Sequence, residues 1–239
     1  MLALLLLPLL AFSAGNESIR NFRQAKKLAL ELHLEHPFTI YCGCRFEGKK
    51  IDLASCGYRP HKDAKRAGRL EWEHVVPAEN FGRSFAEWRL GAERCFRRGK
   101  HFKGRKCAET NPEFARMEGD LYNLWPEVGE LNGLRNNFSM EALGGAEKHP
   151  ASESFGGCRA VVSGRKFEPM DQAKGVVART YMYMDISYPG RGVISEKSRK
   201  LFEAWDKAFP VGAWECRRAE KIQKVQGNEN PILASRCQH

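Results

Sequence analysis

The sequence predicts an α+β fold: one compact domain, helix-rich and stapled by disulfides. Amphipathic helical spacing at the two ends of the chain brackets short strand-like runs in the middle, the order expected when helices pack on a small antiparallel sheet. Eight cysteines among 239 residues form an even set. They contain no C-x-x-C, and the histidines do not fall at zinc-finger spacing, so disulfides are the better reading. Hydrophobic residues make up 42% and aromatic residues 10% of the chain, enough for a sizeable core and against disorder.

Taken in order, MLALLLLPLLAFSAG is apolar from Met1 to Phe12 and then turns to small residues. It is short for a bilayer span and ends like a cleavable secretory signal. Residues 1–14 are therefore expected to be removed after Ala14, leaving 15–239 as one domain without stable membrane association. Ser18 to Glu35 predicts a helix with Phe22, Ala25, Ala29 and Leu32 on one face. Phe38 to Cys42 predicts a strand, and Gly48-Lys49-Lys50 a turn toward Ile51. Leu70 to Val76 is the next strand, stopped by Pro77. A helix is expected around Arg83–Arg89, a loop from Cys95 to Cys107 and a short helix from Pro112 to Gly119. Leu121 to Trp125 reads as a strand ended by Pro126. Helical spacing resumes through Val128, Leu131, Asn132 and Arg135, then over Pro169–Ile186, Ser195–Phe209 and Ala213–Gln226.

The net charge of +10 points to an anionic partner: nucleic acid, anionic lipid or an acidic wall polymer. Its densest run is CFRRGKHFKGRKC, Cys95 to Cys107, where Arg97, Arg98, Lys103 and Arg105 stand without an acid among them. Phosphate suits such a loop, because arginine can fork onto two oxygens and lysine supplies point charge. Cys95 and Cys107, as its ends, are the one disulfide pair that can be read directly.

Against this background LEWEHVVPAENF is unusual: Glu73 and His74 sit together beside Val75, Val76 and Pro77. Hydrolysis of a phosphodiester needs a base for water, a cation for the leaving oxygen and positive groups for the phosphate. Histidine is available as a base near neutral pH, while glutamate and asparagine offer hard oxygens to Mg²⁺. Neighbours on a regular strand point to opposite faces, so a shared site implies a bend or bulge near His74. A basic binding protein without catalysis, a wall-binding protein and a zinc hydrolase are the rival readings. The last has no H-E-x-x-H or three-ligand cluster.

EWEHVVPAENFG, GRKC, MEGDLYNLWP and GELNGLRNNF, followed by ARTYMYM, FEAWDKAFPVGAWEC and KVQGNENP, resemble the bacterial endonuclease I family of exported nucleases. The likeness runs in order through nearly all of residues 15–239. It implies a ββα-metal (His-Me finger) motif and a one-metal endonuclease of double-stranded DNA, with RNA left open, giving 5′-phosphate ends. By the same resemblance His74 is the general base, Glu73 and Asn132 hold Mg²⁺, and Arg105 clamps the scissile phosphate. Glu118 and Asn123 match recurring positions with supporting roles. Arg135 is expected to bind phosphate or to pair with Glu130. A monomer in the periplasm or the medium is expected. Leu134, where the family commonly has an acid, and Glu79-Asn80 depart from the pattern.

Overall fold

The computed structural model describes residues 15–145, 148 and 155–237. The leader expected at residues 1–14 lies outside these. Helix α1 (Phe22–Leu32) starts later than its spacing predicts because Asn21 caps it, accepting from the Gln24 amide at 3.0 Å. Ala25, Ala29 and Leu32 are its buried face. Phe38–Cys42 does not form the expected strand. It makes turns and one bridge from Phe38 to Arg45, and the pairing passes to β1 (Arg45–Glu47) and β2 (Lys50–Asp52). Gly48 sits at the turn between them with φ +55°, the left-handed geometry a two-residue hairpin turn needs. Disulfides Cys42–Cys158 and Cys44–Cys56 tie this segment down on both sides.

After α2 (Ala64–Ala67), β3 (Leu70–His74) pairs antiparallel with a strand more than fifty residues later. The insert holds α3 (Ala78–Gly82), α4 (Ala86–Arg89), β4 (Phe96–Arg97), β5 (Lys100–His101), α5 (Arg105–Ala108) and α6 (Pro112–Glu118). The helix expected around Arg83–Arg89 is reduced to the short α4, with α3 ending just before it and Trp88 folded back so closely that a Cβ on Gly82 would lie 2.3 Å from its ring. The partner strand is β6 (Leu124–Val128), which runs straight through Pro126 instead of ending there. A strand with one ladder partner leaves alternate amide positions facing away from it, where proline is tolerated. Next come α7 (Gly129–Arg135), β7 (Ser139–Met140), β8 (Val161–Ser163) and β9 (Lys166–Glu168). The last three form a sheet ordered β7-β9-β8, too short in each strand to show a period in sequence.

The chain ends in α8 (Asp171–Ser187), α9 (Glu196–Ala208), α10 (Ala213–Gln226) and α11 (Pro231–Ala234), close to the predicted spans. Disulfides Cys95–Cys107 and Cys216–Cys237 close the basic hairpin and the tail. No described helix is long and apolar enough to cross a membrane.

Helix α10 is joined to α1 and β6 through a buried polar node. Arg218 lies 3.8 Å from the Trp125 ring and donates to the carbonyls of Leu121 and Leu124. It also donates to His33 Nε2, while His33 Nδ1 lies 2.8 Å from the Ala29 carbonyl. Since a carbonyl only accepts, the proton is on Nδ1 and the imidazole is neutral. Burial, aided by Arg218, pushes His33 down to about 3. Unfolded His33 takes a proton near pH 6.5 and the native residue refuses it until about 3, so its contribution is full above 6.5 and is lost as pH falls. Glu127, buried and pushed up to about 8, acts in the opposite sense, so the wild-type profile mixes the two. His33→Gln, which can keep both hydrogen bonds, isolates the effect. Its stability relative to wild type should improve between pH 7 and pH 5 by about 2 kcal/mol, measured by denaturant unfolding. An unchanged difference would sink the assignment.

Candidate active site

Glu71 and Glu73, two apart on β3, share one face of the strand. Helix α7 lies along that face. Asn132 Nδ2 donates to Glu71 Oε2 at 3.0 Å, and Arg135 Nη1 pairs with Glu73 Oε1 at 3.3 Å. A three-residue step on a helix rises about 4.5 Å and a two-residue step on a strand about 6.6 Å, near enough for both contacts to form together. The start of α7 is held by Gly129, whose amide donates to the Arg69 carbonyl at 2.9 Å. A Cβ there would lie 2.6 Å from the Arg66 carbonyl oxygen and 2.9 Å from that of Arg69. Gly129→Ala should therefore push α7 off the hairpin and cost about 1–3 kcal/mol in denaturant unfolding. Wild-type stability would show that this backbone approach is slack. Gly133 has a milder role: the Arg66 guanidinium lies over it on the way to Glu71, where it donates from Nε at 2.9 Å and Nη2 at 2.8 Å.

Glu73 is buried, and its Oε1 accepts from the Tyr41 hydroxyl at 2.7 Å. Burial pushes its carboxyl up, while Arg135 and then Tyr41 pull it back. Arg135 itself is fully buried. Its guanidinium donates to the carbonyls of His74, Val75 and Asn136. It is therefore an internal strut beneath the site, and the expectation that it meets phosphate or pairs with Glu130 is corrected. Glu130 instead accepts the amides of His61, Lys62 and Asp63.

His74 leaves β3 on the other side from Glu73. The ladder runs in regular register from Leu70 with Val128 to His74 with Leu124, so the expected bulge is absent, and the two neighbours nevertheless line one cavity. The pairing of backbone groups then gives way to a side chain. Asn123 Oδ1 accepts from the Val76 amide at 2.7 Å and its Nδ2 donates to the Val76 carbonyl at 3.0 Å, which fixes the chain just beyond His74. His74 Nε2 lies 2.9 Å from the Glu118 carbonyl oxygen. That oxygen can only accept, so Nε2 carries the proton and Nδ1 keeps the lone pair. Burial, then Arg105, pushes His74 down to about 3, and the imidazole is neutral at physiological pH. The Glu118 side chain takes the other half of the arrangement: its Oε1 accepts from Arg105 Nε at 2.5 Å. Arg105 Nη2 is buried with no partner, a donor left for a ligand.

Glu73, His74, Arg105 and Asn132 all line one cavity of about 920 Å³. Its cationic wall comes from Arg23, Lys26 and Lys27 of α1 and from Lys49. Among the described residues these four have no carboxylate partner. Sequence reading missed them, although Arg23, Lys26 and Lys27 follow a helical i, i+3, i+4 pattern. It also missed Tyr41, for which no local signal exists. Of the basic loop, only Arg105 lines the cavity. Arg97 and Arg98 lie exposed on the β4–β5 hairpin, and Lys103 is exposed beyond it. Arg98 and Gly99, with φ +51° and +78°, make its tight turn.

The donor set can be tested against a metal. Glu73 offers a carboxylate, and Asn132, held through its Nδ2, is left with its amide oxygen as an acceptor. Among the described residues no three His, Cys, Asp or Glu side chains converge. Two hard oxygens suit a divalent ion that keeps waters and takes substrate oxygens, and do not suit a closed zinc site.

Comparison with known proteins supplies the family. The Endonuclease I family model matches residues 13–237. An extracellular deoxyribonuclease of Aeromonas hydrophila is 40% identical over 245 residues, covering 100% of this chain and 98% of the relative. A periplasmic deoxyribonuclease of the same species is 40% identical over 93% of this chain and 89% of its own. Endonuclease-1 of Buchnera aphidicola is 38% identical over 92% of this chain and 83% of its own. With the family model matching nearly the whole chain and a relative 40% identical over its full length, the chain belongs to the endonuclease I family.

Proposed function

We propose that this protein is an exported endonuclease that hydrolyses phosphodiester bonds of double-stranded DNA with little sequence preference. One observation carries the reading: a neutral histidine, pinned at Nε2 with Nδ1 free, shares a cation-lined cavity with an arginine whose Nη2 has no partner. In this reading β3, β6 and α7 form the His-Me finger. Cations on α1 gather the phosphate backbone, giving salt-sensitive binding. The exposed Arg97, Arg98 and Lys103 contact phosphates further along the duplex. Arg105 holds the scissile phosphate, and His74 Nδ1 takes the proton of the attacking water. Glu73 and Asn132 would hold Mg²⁺, which when bound supplies positive charge at the 3′ leaving oxygen. The products would carry 5′-phosphate ends. Four disulfides among the described residues suit an oxidising compartment, and residues 1–14 would act as the export signal.

The test is oxidised, leaderless protein on supercoiled plasmid, with Mg²⁺ or with EDTA, resolved on a gel. Nicking and degradation only with Mg²⁺ is expected. Plasmid that is retarded but intact in every lane would make this a binding protein, and equal cleavage in EDTA would remove the metal from the mechanism.

A further inference from the structure

We propose that Phe22, at the first turn of α1, is a positioning residue that holds His74 and Arg105 in register with each other. The inference rests on the catalytic roles proposed above for those two residues. The Phe22 ring centroid lies 4.8 Å from that of the His74 imidazole, the planes tilted by 43°. Arg105 Cζ lies 5.2 Å from the same ring, and Lys26 Nζ, one turn along α1, lies 4.6 Å from it. One aromatic side chain therefore touches the base, the phosphate clamp and a wall cation.

Neither catalytic group is immobilised by its hydrogen bonds alone. His74 has one, at Nε2, about which the imidazole can still swing and carry Nδ1 off its line of attack. Arg105 is held at Nε by Glu118 while Nη2 has no partner, so the guanidinium plane can turn. A ring packed against both removes those freedoms, and the electron-rich face of an aromatic favours the cationic neighbours. The ring is itself well anchored. Asn21 caps α1 just before it, and Asn16 Nδ2 donates to the Arg116 carbonyl at 2.8 Å, tying the approach to α1 onto α6, the helix that ends in Glu118. Base, clamp and Phe22 are thus all referred to the end of one helix. A ring placed only to fill the core would be expected at a fully buried position. Phe22 is half-buried and lines the cavity, whereas Ala25, Ala29 and Leu32 form the buried face of α1.

Phe22→Ala, Phe22→Leu and Phe22→Tyr would be compared with wild type on a labelled DNA duplex in Mg²⁺, with a thermal melt of each. Phe22→Ala is expected to lower kcat by about 10- to 100-fold and to change KM by less than about twofold. Phe22→Leu should recover the melt without recovering kcat, because it restores bulk but not the aromatic face. Phe22→Tyr should keep both. Because Phe22 acts in part through Arg105, Phe22→Ala combined with Arg105→Ala should lose less than the product of the two single losses. Full rescue of kcat by leucine, or a fully multiplicative loss in the double variant, would overturn the proposal. An inactive wild type would overturn the nuclease reading and this inference with it, whereas an active wild type with unaffected variants overturns this inference alone.

Discussion

His74→Ala should lose cleavage and keep binding: plasmid degradation in Mg²⁺ slows by about 10²–10⁴-fold, while the protein still retards DNA in EDTA. The loss follows from the tautomer. The Glu118 carbonyl holds the proton on Nε2, which leaves Nδ1 as the basic atom that the proposed mechanism uses, and alanine offers nothing in its place. Binding survives because the cations around the cavity, Arg23, Lys26, Lys27, Lys49 and Arg105, are untouched and phosphate contacts dominate affinity. The same substitution also removes a buried imidazole that resists protonation, so any stability change should be read separately by denaturant unfolding. Cleavage within a few-fold of wild type would mean that another group is the base.

Arg135→Met should unfold more readily, by about 3–5 kcal/mol, the largest stability effect expected at the site. Arg135 and Glu73 are both buried, and Arg135 satisfies the carbonyls of His74 and Val75 at 3.2 and 2.6 Å. Methionine keeps an apolar stem but no guanidinium, leaving a buried carboxylate uncompensated and two buried carbonyls without donors. Adding Glu73→Gln removes the stranded charge, so the double variant should regain part of the loss. Chemical denaturation at neutral pH measures both. A single variant within about 1 kcal/mol of wild type would show that the pair contributes no more than a surface ion pair.

Several residues of the site were legible before any coordinates, and for different reasons. Glu73 and His74, just ahead of two valines and a proline in a basic chain, raised the question of a hydrolytic site, but as a pair they would equally suit an ordinary strand, and the likeness of motifs gave them their roles. Asn132, Glu118 and Asn123 were named through a likeness of motifs, and by residue chemistry alone each would pass for ordinary polar surface. The structure gives each a particular position: Asn132 hooked to Glu71, Glu118 between His74 and Arg105, and Asn123 on the Val76 backbone. Arg135 shows the limit of reasoning from charge. An arginine one turn beyond Asn132 looks like a phosphate ligand, yet whether it faces solvent or core depends on which side of α7 meets β3. The basic loop shows the same limit, since Arg105 and Arg97 are equivalent in sequence and only one lines the cavity.

By itself the sequence determined the α+β class, the main helices, the β3 strand and the oxidised cysteine set, because these follow from local periodicity, capping and the parity of cysteines. Only the tertiary structure decided that α1 forms the cationic wall, that Tyr41 meets Glu73, that Arg135 is buried, and that Phe22 rests on His74 and Arg105. Such contacts join residues far apart in the chain, and their energy comes from packing and desolvation at the place where they meet, of which the local pattern of residues carries no record.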